Sequence, residues 1–223
     1  MRYGSVREGR FLARPNRFIA RVELCGAVET VHVKNTGRCR ELLVPGARVI
    51  LAAADDPRRK TRYDLVAVWK GETLINMDSQ APNAAAPELL RRLFPGCAIF
   101  PERTFGSSRF DFYLEQGTRK IFVEVKGVTL EREGLALFPD APTERGRKHL
   151  AELVRAVEQG YEAWVLFLIQ MEGCAAFAPN EETDPAFAAA LRAARDAGVG
   201  ILCYDCAVTP ESMTPRESVK VLI

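Results

Sequence analysis

Hydrophobic and polar residues alternate in short segments over the first eighty residues, and this period of two is typical of strands. Turn-forming pairs such as Pro45-Gly46 and Lys70-Gly71 separate the segments. Six strands are predicted, at residues 5–13, 18–25, 28–33, 48–53, 63–69 and 73–77. Five or six short strands at this spacing indicate a small closed barrel, and an OB-like barrel fits the size.

The pattern changes class after residue 80. Residues 79–87 hold two prolines and several small side chains, so a linker or domain crossing is expected there. Beyond this segment the predicted order is helix, hairpin, helix, strand, helix, strand. This order predicts a mixed α/β sheet flanked by helices. We therefore expect two domains, an all-β OB-like barrel at 1–80 and an α/β domain at 81–223. The elements predicted in the second domain are helices at 88–94, 143–159 and between Asp184-Pro185 and Gly198, a hairpin at 109–130, and strands at 163–169 and 199–208.

Charge is distributed unevenly between the two parts. Residues 1–80 carry 15 basic and 9 acidic side chains, a net charge of +6, whereas residues 81–223 carry 16 and 20, a net charge of −4. A basic barrel indicates an anionic partner such as nucleic acid, although a solvated surface of mixed charge explains the same count. The first residues lack the apolar core of a signal peptide, and the longest apolar run, 163–169, is too short to cross a bilayer. A cytoplasmic protein with no membrane partner is expected.

Six cysteines are scattered along the chain, and they are expected to be reduced thiols. Only Cys203 and Cys206 form a CxxC pair. They lie on a predicted strand, where residues three apart point to opposite faces, so we do not expect a zinc site there.

The predicted hairpin at 109–130 combines carboxylates with a lysine. A turn through residues 117–118 places Glu115 opposite Lys120 and Asp111 opposite Glu124. Side chains in such a pair have Cβ atoms roughly 5 Å apart, and like charges there are destabilising unless something compensates them. Alternation assigns one face of the first strand to Arg109, Asp111, Tyr113 and Glu115 and the other to Phe110, Phe112 and Leu114; on the second strand, Phe122, Glu124 and Lys126 share one face, and Ile121, Val123 and Val125 the other.

A divalent cation is one such compensation. Asp111 and Glu124 supply the hard oxygen ligands that Mg²⁺ or Mn²⁺ prefers, and Lys126 could orient a water or stabilise charge on a phosphate. These three residues are therefore the candidate catalytic group of a metal-dependent phosphodiesterase. Glu88 is the favoured third metal ligand, ahead of Glu102. The alternative interpretation is a solvated sheet face with a cross-strand salt bridge.

The helix predicted at 143–159 begins with basic side chains. Thr143 is the expected N-cap, and Arg145, Lys148 and His149 follow it, with Arg145 and His149 on one face. A helix N-terminus with basic residues suits a phosphate. An ordinary cap followed by a solvated first turn is the alternative.

Four stretches of the chain form a recognisable set: residues 32–38 (HVKNTGR), 108–112 (SRFDF), 123–126 (VEVK) and 138–150 (FPDAPTERGRKHL), of which the last is the most specific. Together they resemble the sugar fermentation stimulation protein family. Membership implies an N-terminal OB-like domain, a C-terminal domain similar to PD-(D/E)xK nucleases, and DNA binding that does not depend on sequence. In that nuclease pattern the first acid maps onto Asp111, which follows Phe110 rather than proline, and the ExK maps onto Glu124 and Lys126.

The barrel supplies a second group of candidate residues. The family's His-x-Pro-Asn-Thr-Gly stretch appears here with Lys34 in place of proline, and Cys39 stands where methionine is common. The loop is either a nucleic-acid contact or a tight turn that needs Gly37. The candidate nucleic-acid-binding residues of the barrel are Asn35, Thr36 and Arg38 in this loop and the basic run Arg58, Arg59 and Lys60.

Two functions follow from these patterns together with what the family resemblance implies. The first is a DNA-binding, sequence-independent phosphodiesterase that uses Mg²⁺ or Mn²⁺. The second is a non-enzymatic DNA-binding regulator linked to sugar metabolism. An enzyme for a small phosphorylated substrate is the least favoured interpretation, because it leaves the basic barrel unexplained. The sequence leaves open whether the nucleic acid is DNA or RNA and single or double stranded, and whether the protein is a monomer or a homodimer.

Overall fold

The computed structural model describes residues 1–35, 37, 39–54, 56 and 58–223. All six strands predicted in the first part are confirmed, with ends that shift by up to three residues. The strands are β1 (Val6–Asn16), β2 (Ile19–Leu24), β3 (Ala27–Val33), β4 (Arg48–Ala53), β5 (Tyr63–Lys70) and β6 (Thr73–Asn76).

The first five strands close into a barrel. They run in the order β3-β2-β1-β4-β5, and a parallel pairing of β3 with β5 joins the two ends. The alternation seen in the sequence explains the closure, because one face of each strand supplies the interior. Phe11, Val22, Val31 and Leu51 are among the buried side chains. The predicted barrel is therefore confirmed.

The second part is a mixed sheet with helices on both faces, as predicted. The elements are α1 (Ala81–Leu93), β7 (Ala98–Phe105), β8 (Ser108–Gln116), β9 (Arg119–Val128), β10 (Leu130–Arg132), β11 (Leu135–Phe138), α2 (Glu144–Glu158), β12 (Glu162–Ile169), β13 (Ala176–Pro179), α3 (Pro185–Asp196), β14 (Gly200–Thr209), β15 (Ser212–Ser218) and β16 (Lys220–Val221). The main sheet has the order β15-β14-β12-β9-β8-β7, and its β14, β12 and β9 are parallel. Leu89 and Leu90 of α1 pack on one face with Val123, while Leu150 and Leu153 of α2 share the other core with α3.

Residues 79–87 are predicted as a linker or domain crossing, and the linker is wrong, because α1 already begins at Ala81. The helix predicted at 88–94 therefore starts seven residues earlier than expected. Pro82 occupies the first turn, where a helix needs no N–H donor, and Pro87 lies inside the helix. Small buried residues on one side, Ala81, Ala85 and Ala86, pack the helix closely on the sheet. Packing therefore outweighs the low helix propensity of the two prolines.

Helix caps and cysteines follow the sequence analysis more closely. Asp184 caps α3 by accepting from Phe187 N at 2.9 Å, and Gly198 follows its end with φ +95°. Cys203 and Cys206 pack in separate cores on the two faces of the sheet, as expected, and both are free thiols. None of the helices within the described residues is long and apolar enough to cross a membrane.

Polar contacts join the two domains. Gln170, just after β12, lies with its Nε2 3.0 Å from both Asn76 O and Asn76 Oδ1 and 3.1 Å from Asp78 O. The first residues of the chain extend from the barrel to the far sheet, where Tyr3 N donates to Glu211 O at 2.7 Å. Gln170 and Asn76 are both buried, so the junction excludes water.

Candidate active site

The candidate site lies where β8 and β9 run side by side. The ladder confirms Glu115 opposite Lys120 and continues to Phe112 opposite Val123, one pair short of Asp111 and Glu124. The backbone ladder between β8 and β9 stops before Asp111. There the Asp111 side chain bonds to β9 instead, because its Oδ2 accepts from Val125 N at 2.8 Å. Its Oδ1 accepts from Asn83 Nδ2 of α1 at 2.8 Å.

The expected common face for Phe110, Phe112 and Leu114 is wrong at Phe110. Its ring lies 5.2 Å from that of Phe122, in the core beneath α2, whereas Phe112 packs in the core beneath α1. The strict alternation of β8 therefore breaks at Asp111, between these two phenylalanines. Asp111 faces Asn83 on α1 as a result.

Glu124 is almost fully buried, with 3% of its surface exposed. Two groups meet its Oε1 atom: Lys126 Nζ at 2.5 Å and His149 Nδ1 of α2. Its Oε2 atom is buried and has no hydrogen-bond partner among the described residues. A buried carboxylate oxygen without a hydrogen-bond partner costs folding free energy, and a bound water or cation would satisfy it.

Arg145 defines which nitrogen of His149 carries the proton. The Arg145 Nε atom lies 3.5 Å from His149 Nε2, and a guanidinium can only donate. In the neutral ring, Nε2 is then the acceptor and Nδ1–H donates to Glu124 Oε1. The contact holds Glu124 in one orientation.

The two carboxyl groups are electrostatically coupled. Burial raises the pKa of Asp111, and the charge of Glu124 raises it further, against the bonds from Val125 N and Asn83. For Glu124, burial acts in the same direction, but the contacts with His149 and Lys126 outweigh it and lower the pKa. Glu124 therefore ionises readily, and Asp111 beside it ionises with difficulty until a positive charge is added.

A cavity of about 490 Å³ opens beside Asp111 against α1. Asn83, Arg91 and Glu102 line it together with Asp111. Glu88, the favoured third ligand, is exposed on α1 and does not line this cavity, whereas Glu102 does. Within the described part of the chain no three His, Cys, Asp or Glu side chains converge as metal ligands.

The predicted residues at the start of α2 separate into two groups. Thr143 is the N-cap, as expected, and accepts from Gly146 N at 3.0 Å. Arg145 and Lys148 are exposed, and Lys148 Nζ donates to Ser107 O at 3.1 Å. His149 is buried against Glu124 and does not lie on the surface with them.

The loop after β3 has the geometry of a tight turn. Asn35 Oδ1 accepts from Gly37 N at 2.7 Å, and Asn35 Nδ2 donates to Met77 O at 2.8 Å. A Cβ atom on Gly37 would lie 2.8 Å from both Asn35 Oδ1 and Asp140 Oδ2, so the glycine allows a close approach. Thr36 and Arg38 lie outside the described residues.

The basic run of the barrel is engaged in ion pairs. Arg58 binds Asp56 through Nε and Nη2, both at 3.0 Å. Arg59 forks onto Asp64 at 2.7 and 3.0 Å. Lys60 is exposed beside them.

The sequence pattern did not predict the part that His149 and Asn83 play around the carboxylates. A signal for His149 was present, because Gly146, His149, Leu150 and Leu153 recur at the spacing of one helix face. That face is the buried one, and it points His149 at β9. Asn83 gave no such signal, since it lies in the segment read as a linker.

Fold and site together define a class: a two-domain protein in which an OB barrel is joined to a mixed α/β domain with a buried carboxylate site. Two family models match the chain, "SfsA N-terminal OB domain" over residues 12–77 and "Sugar fermentation stimulation protein RE domain" over residues 80–212. The chain belongs to the sugar fermentation stimulation protein family.

Relatives and a solved structure agree with this assignment. A "Sugar fermentation stimulation protein homolog" of Desulfitobacterium hafniense is 59% identical over 99% of this chain and 98% of its own length. One from Alkaliphilus oremlandii is 52% identical over 99% of this chain and 98% of its own. The solved structure, titled "The structure of Pyrococcus Furiosus SfsA in complex with Ca2+", has 29% identity and a TM-score of 0.89, and covers 100% of this chain and 98% of that one.

Proposed function

We propose that this protein is a divalent-cation-dependent phosphodiesterase that cuts DNA without sequence preference, and that its second domain is related to PD-(D/E)xK nucleases. The observation that carries the proposal is the unpartnered, buried Oε2 of Glu124 next to Asp111. A cation between the two carboxylates would satisfy that oxygen and offset the burial and the Glu124 charge that raise the pKa of Asp111.

The residues present fit Mg²⁺ or Mn²⁺. Mg²⁺ keeps several waters and is held through one or two carboxylates plus phosphates of the substrate, so Asp111 and Glu124 are sufficient. Glu102 lines the cavity beside Asp111 and could act through a water. The Pyrococcus furiosus relative is described as a complex with Ca²⁺, which also takes oxygen ligands.

Each residue of the site has a task in this proposal. When bound, the cation would lower the pKa of a water and neutralise charge on the phosphate. Lys126 Nζ donates to Glu124 Oε1, and its ammonium would stabilise charge that develops on the phosphate. His149 fixes the orientation of Glu124, and Val125 N and Asn83 fix that of Asp111.

DNA is the proposed substrate because of the charges around this centre. Arg145 and Lys148 are exposed at the start of α2, close to the His149 and Glu124 pair, where they can contact phosphates. Residues 1–80 carry the excess of basic side chains. Contacts of this kind are independent of sequence and weaken steeply as salt rises.

A non-enzymatic DNA-binding regulator is the second candidate. One observation favours it: Lys126 and His149 already compensate Glu124, and both oxygens of Asp111 already accept hydrogen bonds. A site that is satisfied to this extent could persist for structural reasons alone. The family's name, which refers to sugar fermentation, is compatible with such a role.

Cleavage of single- and double-stranded DNA with Mn²⁺ or Mg²⁺ tests the proposal. Asp111→Asn is compared with Glu115→Gln on the same strand, and Lys126→Met with Lys120→Met on the next one. We expect cutting that needs the cation and is lost in the first member of each pair only. Absence of cutting by the unmodified protein, with DNA still bound in fluorescence anisotropy, would select the regulator.

A further inference from the structure

A second polar cavity lies on the other side of the start of α1. It encloses about 730 Å³ between the barrel, the first residues of the chain and α1, a size suited to a nucleotide. Among its lining residues are His32, Lys34, Arg59, Asp64, Asp78 and Ala84. Ala84 also lines the cavity that contains Asp111, so one turn of α1 separates the two.

The first buried carboxylate of this cavity, Asp78, is 1% exposed and has its oxygens occupied. Its Oδ2 meets Lys34 Nζ at 2.9 Å and accepts from Tyr3 Oη at 3.2 Å, and its Oδ1 accepts from Gln80 N at 2.9 Å. An ammonium group has three N–H donors, and the contact with Asp78 uses one of them. The Lys34 side chain retains 23% exposure and lines the cavity.

The second carboxylate, Asp64, is 8% exposed and is occupied in the same way. Arg59 forks onto both of its oxygens, and His32 Nδ1 lies 2.9 Å from its Oδ1. Burial raises the pKa of Asp64, but the bonds from Arg59 and His32 outweigh burial and lower it, so the group stays ionised. His32 is thereby oriented with its Nε2 atom away from Asp64.

The two carboxylates therefore act as supports that hold basic side chains, and donor groups remain for a ligand. A cation would find the oxygens of both acids taken, whereas an anion finds the Lys34 ammonium held in place by Asp78. Because His32 Nδ1–H donates to Asp64, His32 Nε2 can donate to the anion only when the ring is an imidazolium. Phosphate is the anion whose geometry and charge such a set of fixed donors suits.

We propose that this cavity binds a phosphate monoester. The group has two possible sources, a free nucleotide or the phosphorylated end of a nucleic acid strand. The shared wall at Ala84 favours the strand end, since a strand anchored there would pass α1 towards Asp111. This second step, unlike the first, rests on the proposed function.

Calorimetric titration of the full chain with dAMP tests the first step, with deoxyadenosine as the ligand that lacks phosphate. We expect binding of dAMP only, and a loss of about tenfold or more in Lys34→Gln, as for one charge-assisted hydrogen bond. Arg21→Gln, which removes an exposed charge elsewhere on the barrel, should bind normally. Because Lys34→Gln leaves a buried carboxylate without its cation, Ala53→Phe serves as a second variant that fills the cavity and keeps the ion pairs. Absence of dAMP binding to the folded, unmodified protein overturns the proposal.

Anisotropy with oligonucleotides separates the two sources. Strands with a 5′-phosphate, a 3′-phosphate or neither are compared on the unmodified and Lys34→Gln proteins. A preference for one phosphorylated end that Lys34→Gln removes supports the strand end. Binding of dAMP without any preference among strands keeps the phosphate site and rejects the strand end. Neither measurement needs cleavage, so a failure of the proposed nuclease activity would be seen separately.

Discussion

Replacement of His149 by alanine is expected to weaken divalent-cation binding at the proposed metal site without removing a proposed metal ligand. Glu124 Oε1 contacts two groups, and the substitution deletes the one on α2 while Lys126 stays. The carboxylate can then rotate, and its free Oε2 no longer has a fixed direction. Its pKa should also rise, because the His149 contact is the largest influence that lowers it.

The expected loss of metal affinity follows from the contribution of groups that orient a metal ligand without binding the metal. Loss of a group that orients a ligand reduces metal affinity by about 10–100-fold, or roughly 1.4–2.7 kcal/mol. His149→Asn should recover most of this affinity, since an asparagine amide donates from nearly the position of Nδ1. Both variants lose packing against the ring of Phe110, 6.2 Å away, so the comparison isolates the hydrogen bond.

Calorimetric titration with Mn²⁺ and Ca²⁺ measures the affinities, with Glu158→Gln on the exposed side of α2 as the control. Thermal unfolding confirms that each variant is folded. Equal affinities in the alanine, asparagine and unmodified proteins would refute the reasoning, since His149 would then have only a packing role.

Three further substitutions test other parts of the structure. Asp111→Asn is expected to raise the melting temperature of the metal-free protein at pH 7. Burial and the charge of Glu124 raise the pKa of Asp111 in the folded state, so the folded protein loses stability as the pH rises from the unfolded-state pKa through the folded-state pKa. The gain should vanish below about pH 4, where the carboxyl is protonated in both states, and a gain that persists there would contradict this cause. Gln170→Ala should lower the free energy of unfolding by about 1–3 kcal/mol, because it removes the contacts with Asn76 and Asp78. The melting temperature should fall by roughly 2–4 °C per kcal/mol. An equal fall for Gln159→Ala, at an exposed position, would argue that the junction contacts do not stabilise the protein. Asp184→Ala, which removes the cap of α3 and the partner of Arg147, should lower the urea midpoint by the equivalent of about 2 kcal/mol or more, and an unchanged midpoint would show that neither contact contributes.

The barrel could be predicted from the sequence because a period of two is a local property. Alternating residues predict each strand, and glycine or proline predicts each turn, so the sequence predicts all six strands. Helix α1 could not be predicted in full, because Pro82 and Pro87 argue locally against a helix. Its stability comes from alanines packed on a sheet that is formed by residues far along the chain, and this packing is not visible in a short window.

The candidate site shows the same division. Asp111, Glu124 and Lys126 could be selected from the sequence, since register and residue type are local. Phe110 was assigned to the wrong face because the break at Asp111 depends on a side chain that binds the backbone of the neighbouring strand. The contact of His149 with Glu124 needs the packing angle of α2 on the sheet, a tertiary quantity.

The position of the first residues has a consequence for biosynthesis. Tyr3 N donates to Glu211 O at 2.7 Å, and Met213 N donates to Met1 O at 3.1 Å, so residues ahead of β1 pair with residues that are synthesised much later. Domains usually fold in the order of synthesis. Here the barrel can close early, but the segment ahead of β1 must wait until β15 has emerged. A ribosome that stalls before residue 211 would therefore hold a closed barrel with a free leading segment.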